Sequence, residues 1–230
     1  MSLTYVIDPQ VIPSLPVTGD IRRFAVNRIF CVGRNYADHA REMGHDPDRE
    51  PPFFFMKPAS AILADGKDMT YPSLSNDAHH EVELVVAIAK GGVNIPSQNA
   101  LEHIYGYGVG LDMTRRDLQG EAKKMGRPWD TGKAFDQSAP CGAITPVVQW
   151  GHPDKGSVTL LVNGEIRQEG DLNQLIWNVP DVIASLSSLF ALEPGDLIFT
   201  GTPAGVGPVK KGDVLEAKID GLPTLNTKII

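Results

Sequence analysis

The strongest local constraint on the fold is the pair Asn163-Gly164, which lies between two segments of β-forming residues. An Asn-Gly pair readily adopts the two positive φ angles of a type I′ turn, and the twist of that turn matches the twist of two antiparallel strands. The flanking segments, 158–162 and 165–168, are therefore predicted to pair as a β-hairpin. We expect antiparallel sheet to form part of the fold.

Further strand-like segments recur along the chain, whereas helical segments are few. The predicted strands are 28–33, 53–56, 79–88, 104–111 and 197–200, followed by two strands set apart by turns at 211–213 and 220–221. The predicted helices are 36–43, capped by Asn35 and ended by Gly44, then 114–126, begun by a Thr114/Asp117 capping box, and one starting near Pro180. A turn-rich polar segment, 46–52, follows the first helix. We expect a mainly β, α+β protein, built as a mostly antiparallel β-roll with a few short helices.

The N-terminal residues differ from the rest of the chain. Pro9, Pro13 and Pro16 stand among isolated apolar residues, a pattern typical of extended backbone. We therefore expect residues 1–27 to form an arm packed on a single body domain, 28–230.

Composition limits the kind of partner. The 230 residues are 42% hydrophobic, enough to bury one core, and the formal net charge is −7. With no Lys/Arg cluster longer than a pair, this charge argues against a nucleic-acid or polybasic membrane surface, and no apolar run approaches the ~20 residues that span a bilayer. Two cysteines and an N-terminus without signal-peptide character favour a cytoplasmic location. We expect a small-molecule partner, no nucleic acid and no membrane.

Three carboxylates form a candidate metal site. Glu81 and Glu83 are two residues apart in a predicted strand, which places both on one face, about 7 Å apart at a rise of about 3.3 Å per residue. Asp112 ends the apolar stretch 104–111, from where a neighbouring strand would bring a third carboxylate. Three oxygen ligands and no thiolate favour Mg²⁺ or Mn²⁺. Spacing alone also fits an ordinary solvated face.

His39 and Glu42 form a candidate general base. They are three residues apart on a predicted helix, so the carboxylate can orient the imidazole and stabilise its protonated form. A histidine held in this way can take a proton from water. The alternative is an exposed helical ion pair without a function.

Cationic and glycine-rich segments supply candidate ligand contacts. Arg116 and Gln119 share a helical face, where a guanidinium beside a metal carboxylate suits a keto acid. Lys133 is a lone cation able to stabilise a developing enolate, or else it extends to solvent. The loop 200–207 brings three glycines after a strand, and its amides can approach a carboxylate.

Two other site classes are excluded. Gly106, Gly108 and Gly110 alternate inside a predicted strand, whereas a dinucleotide-binding motif requires a strand-to-helix turn. The sequence also lacks the Gly-x-Ser-x-Gly turn of a serine hydrolase and the Lys-Ser/Thr ending of a phosphate-binding loop. Neither a nucleotide cofactor nor a serine nucleophile is expected.

Five ordered blocks resemble the fumarylacetoacetate hydrolase family and together extend over about residues 28–230. The blocks are VGRNYADHARE (32–42), HEVEL (80–84), LDMTRRDLQ (111–119), GKAFD (132–136) and GTPAGVG (201–207). The resemblance implies a β-roll, frequently dimeric, with one divalent metal per active site. It assigns Glu81, Glu83 and Asp112 to the metal, His39 and Glu42 to water activation, and Lys133, Arg116, Gln119 and Thr202 to substrate contacts. We count Lys133 with His39 and Glu42 among the candidate catalytic residues, and Arg34 and Tyr36 as further candidate substrate contacts.

Within that family, the chain is most similar to fumarylpyruvate hydrolases of gentisate breakdown, and acylpyruvases are nearly as similar. This similarity rests on blocks 43–55 and 170–177 and on the short chain. The implied reaction is cleavage of a 2,4-diketo acid to pyruvate and a second acid, by a cytoplasmic homodimer. Thr131-Gly132 replaces a Leu-Ala common in relatives. The alternatives are decarboxylation of oxaloacetate or a related keto acid, and a catalytically silent metal-binding protein. His39, Glu42 and Lys133 argue against the silent protein.

Overall fold

The computed structural model describes residues 4–42, 51–64 and 66–230. Part of the predicted first helix and its stop, Met43 and Gly44, lie outside the described residues, as do positions 46–50 of the turn-rich segment. Within the described residues, every helix is too short or too polar to cross a lipid bilayer.

Strands outnumber helices, as predicted from the sequence. The strands are β1 (Ser14–Val17), β2 (Asp20–Ala25), β3 (Ile29–Gly33), β4 (Phe53–Lys57), β5 (Ile62–Ala64), β6 (Ala78–His80), β7 (Val82–Ile88), β8 (Ile104–Leu111), β9 (Thr114–Arg115), β10 (Ala139–Cys141), β11 (Thr145–Pro146), β12 (Ser157–Val162), β13 (Glu165–Asp171), β14 (Leu197–Phe199), β15 (Gly207–Pro208), β16 (Val214–Ile219) and β17 (Leu225–Lys228). The helices are α1 (Ala37–Glu42), α2 (Arg116–Lys124), α3 (Asp130–Lys133), α4 (Val147–Trp150) and α5 (Val179–Leu189), with 3₁₀ turns at Ala59–Ala61, Ser97–His103 and Leu172–Gln174.

An eight-stranded sheet forms the centre of the molecule. Its strand order is β4-β3-β14-β7-β8-β10-β5, with β11 beside β8. Only the β3–β14 and β5–β10 pairs are parallel among the described pairings, so the sheet is mixed and mostly antiparallel. The predicted fold class, a mainly β, α+β roll with a few short helices, is confirmed.

The central strand β7 is buried on both faces, which explains its nearly continuous apolar sequence. Leu84 and Val86 belong to a core shared with β12, β16 and α5, whereas Val85 and Ala87 belong to a second core that includes β3 and β14. A buried β7 is a rigid base for any side chain that it carries.

The predicted hairpin is present and belongs to a second sheet. Asn163 and Gly164 have φ angles of 53° and 83°, as a type I′ turn requires. Strands β12 and β13 pair on either side of this turn, and the four-stranded order is β13-β12-β16-β17. A small third sheet, β15-β6-β9, lies beside the carboxylates described below.

Two alternating glycines of β8 are required by close packing. A Cβ atom at Gly106 would lie 2.3 Å from the carbonyl oxygen of Thr145, and one at Gly110 would lie 2.6 Å from side-chain atoms of Phe199 and Val85. Both distances are too short for any side chain. The strand predicted at 104–111 is confirmed with the same bounds.

The N-terminal segment is more structured than an extended arm. Strands β1 and β2 pair as an antiparallel hairpin within 14–25, a pairing that the sequence pattern does not predict. Leu15 is fully buried in the second core, and the Thr18 amide donates to the Ile144 carbonyl at 2.9 Å. The division into arm and body at residue 27 stays a prediction.

Two helix-start predictions are wrong because Asn35 and Thr114 make other contacts: Asn35 binds distant backbone, and Thr114 pairs with His79 in the β6–β9 ladder. Asn35 does not cap α1; its amide nitrogen donates to the carbonyls of Trp177 and Thr200, and its oxygen accepts from the Trp177 amide. Thr114 lies in β9, so α2 begins at Arg116 without a capping box.

Candidate active site

The three predicted metal ligands converge. The predicted strand 79–88 is divided at Glu81, where β6 joins the small third sheet and β7 continues in the central sheet. Because Val82 pairs with Leu111, the following Asp112 lies beside Glu81, and its amide donates to the Glu81 carbonyl at 2.8 Å. One carboxylate oxygen from each of Glu81, Glu83 and Asp112 lies within 4.8 Å of the others. All three residues are at most 5% exposed, which rules out a solvated face.

Buried cations surround this triad, which comprises Glu81, Glu83 and Asp112. Lys133 Nζ lies 2.8 Å from Glu81 Oε2 and 2.7 Å from Asp112 Oδ2. Arg116 donates to the other oxygen of Glu81. Lys57 Nζ lies 2.8 Å from Asp112 Oδ1 and donates to the carbonyls of Met113 and Lys133. Burying several carboxylates together is costly unless such partners balance their charge.

The pKa values of the triad are pulled in opposite directions. Burial would raise the pKa of Glu81, but the charges of Lys133 and Arg116 outweigh burial and hold it well below its usual range. Burial, together with Asp112 and Glu81, raises the pKa of Glu83, whose Oε2 accepts a hydrogen bond from the Gly201 amide at 2.8 Å. Burial would lower the pKa of Lys133, but Asp112 and Glu81 raise it.

The triad fits a hard divalent cation. Asp112 Oδ1 is buried and has no hydrogen-bond donor among the described residues, since Lys57 approaches it as an ion pair without hydrogen-bond geometry. Glu83 has no ion pair in the described part of the chain. A carboxylate oxygen that accepts no hydrogen bond and a glutamate without an ion pair are groups that a metal ion would bind. Oxygen ligands alone favour Mg²⁺ or Mn²⁺ over softer metals.

The predicted His39–Glu42 pair forms on α1. His39 Nδ1 lies 3.2 Å from Glu42 Oε2, and the same oxygen accepts from the Gly205 amide at 3.3 Å. His39 is only 6% exposed, which disagrees with a solvated surface pair. It lines the same small cavity as Glu81, so its ring lies near the triad.

Arg116 and Gln119 lie on the wall of that cavity. Arg116 Nη1 donates to Gln119 Oε1 at 2.6 Å, and Arg116 also donates to Glu81. The first turn of α2 therefore carries the guanidinium directly to a triad carboxylate. Burial lowers the pKa of the adjacent His79, and the charge of Arg116 adds to that effect.

The position of Lys133 depends on a close contact between α2 and α3. A Cβ atom at Gly132 would lie 2.8 Å from the backbone nitrogen of Gln119, so only glycine fits there. The Thr131-Gly132 sequence thus accompanies tight helix packing. Lys133 does not extend to solvent.

Arg34 and Tyr36 differ in their relation to the cavity. Arg34 lines it and lies 5.1 Å from the ring of Phe53. Tyr36 is not among the residues that line it; this side chain is buried, and burial followed by the charge of Glu83 raises the pKa of its phenol. The predicted substrate contact of Tyr36 stays a prediction.

The glycine-rich loop 200–207 contacts both the triad and the His39–Glu42 pair. Gly201 has a φ of 102°, and a Cβ there would lie 2.7 Å from the Cβ of Asn35. Gly205 has a φ of 92°, and a Cβ there would lie 2.2 Å from the carbonyl oxygen of Arg167. These glycines place their amides on Glu83 and Glu42. Thr202, between them, is buried.

Sequence reasoning missed two buried groups. Lys57, one of the largest fully buried side chains, directly follows the predicted strand 53–56, and a lysine after four apolar residues is a signal for a buried cation. Gln168 links His80, Val82, Thr202 and Pro203 by hydrogen bonds, and nothing in its local sequence indicates this.

Comparison with known proteins identifies the family and several relatives. The family model described as "Fumarylacetoacetate (FAA) hydrolase C-terminal" matches residues 28–230. The oxaloacetate tautomerase FAHD1, mitochondrial, of Mus musculus is 44% identical over 201 residues, which is 87% of this chain and 90% of that protein. The oxaloacetate decarboxylase, mitochondrial, of Dictyostelium discoideum is 44% identical over 198 residues, 86% of this chain and 90% of that protein.

A crystal structure is also very similar. The fumarylpyruvate hydrolase from Pseudomonas aeruginosa, in complex with Mn²⁺ and pyruvate, superposes with a TM-score of 0.97 at 52% identity, covering 99% of both chains. The relatives therefore include enzymes named for more than one reaction of keto acids. The chain belongs to the fumarylacetoacetate hydrolase family.

Proposed function

We propose that the protein is a metal-dependent hydrolase that cleaves the C–C bond of an acylpyruvate, with fumarylpyruvate as the substrate and fumarate and pyruvate as products. The observation that carries this proposal is the shared cavity, which joins the carboxylate of Glu81 to the histidine of the His39–Glu42 pair. A metal site beside a water-activating base suits a hydrolytic reaction. The P. aeruginosa structure supports it, because pyruvate, a product of this reaction, is bound there with Mn²⁺.

The metal would be held by Glu81, Glu83 and Asp112, and it would supply Lewis-acid polarisation of the keto-acid oxygens and stabilisation of enolate charge. Arg116 and Gln119 would bind the substrate carboxylate beside Glu81. Lys133 lies where it would stabilise the enolate of the leaving pyruvate.

His39 is the proposed general base. Its Nδ1 faces Glu42, so Nδ1–H donates to that carboxylate and Nε2 is left to accept a proton from water. The water oxygen bonds to C4, the C3–C4 bond breaks, and its electron pair forms the pyruvate enolate. C3 then takes up a proton, so one water is consumed for the two acids released.

The cavity wall supports an unsaturated acyl group. Phe53, Phe55 and Trp129 line it together with Arg34. Aromatic rings pack on a planar, conjugated chain, and a guanidinium at the wall suits a second carboxylate. These features favour fumarylpyruvate over acetylpyruvate, because the acetyl group has neither a conjugated double bond nor a second carboxylate.

A second candidate function is tautomerisation or decarboxylation of oxaloacetate, which the names of the mouse and Dictyostelium relatives favour. Decarboxylation releases CO₂ and leaves the same pyruvate enolate, whereas tautomerisation moves a proton between C3 and the keto oxygen of oxaloacetate. Neither reaction needs attack by water. The His39–Glu42 pair would then matter less for turnover.

The test measures pyruvate release from fumarylpyruvate and acetylpyruvate, beside the loss of oxaloacetate, with Mn²⁺, Mg²⁺ or excess chelator. We expect metal-dependent release of equimolar fumarate and pyruvate, with fumarylpyruvate preferred. Turnover of oxaloacetate alone would favour the second candidate. No turnover of any of these by metal-loaded protein would contradict both.

We further propose a homodimer in the cytoplasm that uses either Mg²⁺ or Mn²⁺. Light scattering of the purified protein would give the mass of the assembly, to be compared with the chain mass of 24.9 kDa. A monomeric mass would contradict the dimer. Metal analysis of protein purified without added metal would distinguish the two ions.

A further inference from the structure

We propose that Gln168 is a positioning residue that fixes the direction of the Thr202 hydroxyl hydrogen, so that Thr202 presents a hydrogen-bond donor to an oxygen of a bound keto acid. This inference rests on the proposed function, because it assigns Thr202 a keto-acid ligand. It is carried by a buried network that links β13, the β6–β7 break and the loop 200–207.

Backbone contacts fix the orientation of the Gln168 amide. The Val82 amide donates to Gln168 Oε1 at 3.1 Å, and Gln168 Nε2 donates to the Pro203 carbonyl at 2.9 Å. A backbone N–H can only donate and a carbonyl can only accept, so exchanging Oε1 and Nε2 would break both bonds. The side chain is 1% exposed, which leaves no solvent to replace them.

The fixed amide in turn fixes its histidine partner. His80 Nδ1 lies 2.9 Å from Gln168 Oε1, which can only accept. His80 therefore carries its hydrogen on Nδ1. Both Gln168 Oε1 contacts come from the residues that flank Glu81, so the amide also anchors the backbone on either side of this carboxylate.

The amide nitrogen determines the role of Thr202. Gln168 Nε2 has two hydrogens; one is donated to the Pro203 carbonyl and the other to Thr202 Oγ1, at 2.8 Å. The Thr202 oxygen is thus an acceptor toward Gln168, and its own hydrogen must point in another direction. The described residues provide no acceptor for that hydrogen.

The remaining acceptor would be a ligand. Thr202 is buried, and the amide of its neighbour Gly201 donates to Glu83 in the triad. A donor one residue from the amide that contacts Glu83 suits a carboxylate or keto oxygen, both of which only accept. With either oxygen in place, all hydrogens of the network would be paired.

The test is a double-mutant cycle on pyruvate binding by the Mn²⁺-loaded protein, measured by calorimetry. Thr202→Val removes the donor and should weaken pyruvate binding by at least about tenfold, the usual loss of a hydrogen bond to a charged group. Gln168→Glu keeps the shape but accepts where the amide donates, so it draws the Thr202 hydrogen away from the ligand. It should cause a similar loss.

The result that tests the inference is the coupling between the substitutions at Gln168 and Thr202. In the Gln168→Glu background, Thr202→Val should weaken pyruvate binding by less than about a further threefold, because the hydrogen-bond donor is already lost. Gln168→Met, which cannot hold the hydroxyl, serves as the second background. Thr202→Ser should keep wild-type affinity, as should Gln174→Glu, at an exposed glutamine that only accepts a hydrogen bond from Asp171. Mn²⁺ affinity should be unchanged in Thr202→Val and Thr202→Ser, which keep every contact of Gln168 with the residues that flank Glu81.

Equal losses for Thr202→Val in the wild-type, Gln168→Glu and Gln168→Met backgrounds would overturn the inference, while pyruvate binding by wild type would leave the proposed function standing. Failure of Mn²⁺-loaded wild type to bind pyruvate would instead overturn the proposed function, and with it the ligand assigned to Thr202.

Discussion

The two parts of the candidate site are held in very different ways. The sheet side, Glu81, Glu83 and Asp112, is fixed by the register of neighbouring strands in a sheet that is buried on both faces. The helix side, His39 and Glu42, rests on one short helix and a 3.3 Å contact with Gly205. A metal site needs several ligands at fixed distances, whereas a general base needs one nitrogen near water. The fold gives the rigid support to the part with the stricter geometry.

Removing a carboxylate from the triad on the sheet side should have the largest effect on Mn²⁺ affinity and activity. Glu83→Gln removes one carboxylate of the triad, and we expect Mn²⁺ affinity to fall by at least about 100-fold, because even residues behind the ligands typically cost 10–100-fold. Acylpyruvate cleavage should be lost at limiting metal. Glu165→Gln, at an exposed glutamate on β13, is the matched control and should change neither quantity. Unchanged Mn²⁺ affinity in Glu83→Gln would show that the triad does not hold the metal.

Breaking the helix side should separate chemistry from metal binding. His39→Asn should lower kcat by about 10²–10⁴-fold, the usual contribution of a general base, while Mn²⁺ affinity stays at the wild-type value. Asp38→Asn, at an exposed position of the same helix, should keep full activity. A loss of metal equal to the loss of turnover would mean that His39 belongs to the sheet side.

A milder change on the helix side sharpens the comparison. Glu42→Gln keeps an oxygen acceptor for Gly205 but replaces a charge-assisted hydrogen bond to His39 by a neutral one. Charged hydrogen bonds are about twice as strong, so we expect kcat to fall by about tenfold. Steady-state kinetics at saturating Mn²⁺ measure this. A kcat as low as that of His39→Asn would indicate that α1 itself had been lost.

The smallest effect concerns stability of the sheet side. Gly110→Ala would force a methyl group to within 2.6 Å of Phe199 and Val85, and we expect the free energy of unfolding to fall by about 1–3 kcal/mol. Gly120 is an exposed position of helix α2, and a Cβ atom there would meet no atom within 4 Å. Gly120→Ala should therefore raise the free energy of unfolding by about 0.5–1 kcal/mol. Urea unfolding measures both. Equal effects would contradict the tight packing around β8.

Much of the site was accessible from local sequence patterns. The two-residue spacing of Glu81 and Glu83 and the three-residue spacing of His39 and Glu42 each bring two side chains together within one element. Asp112 could be added because it directly follows an apolar strand. The structure brings each of these pairs together.

Contacts between residues distant in sequence could not be predicted from local patterns. Asn35 has good capping chemistry, but its side chain binds backbone more than 140 residues away, at Trp177 and Thr200. Lys57 and Gln168 likewise find their partners on other elements. A local pattern reports what a residue can do for its own element, and tertiary contacts override that preference.

The most direct test of the account follows Mn²⁺ occupancy and pyruvate release together. Mn²⁺ is titrated into metal-free wild type and His39→Asn, and bound metal and the rate of fumarylpyruvate cleavage are measured in each sample. We expect wild-type activity to rise in proportion to bound Mn²⁺ and to saturate at a single ion per chain. His39→Asn should bind the same amount of Mn²⁺ and stay nearly inactive. Cleavage by the metal-free wild type, or full activity of metal-loaded His39→Asn, would contradict it.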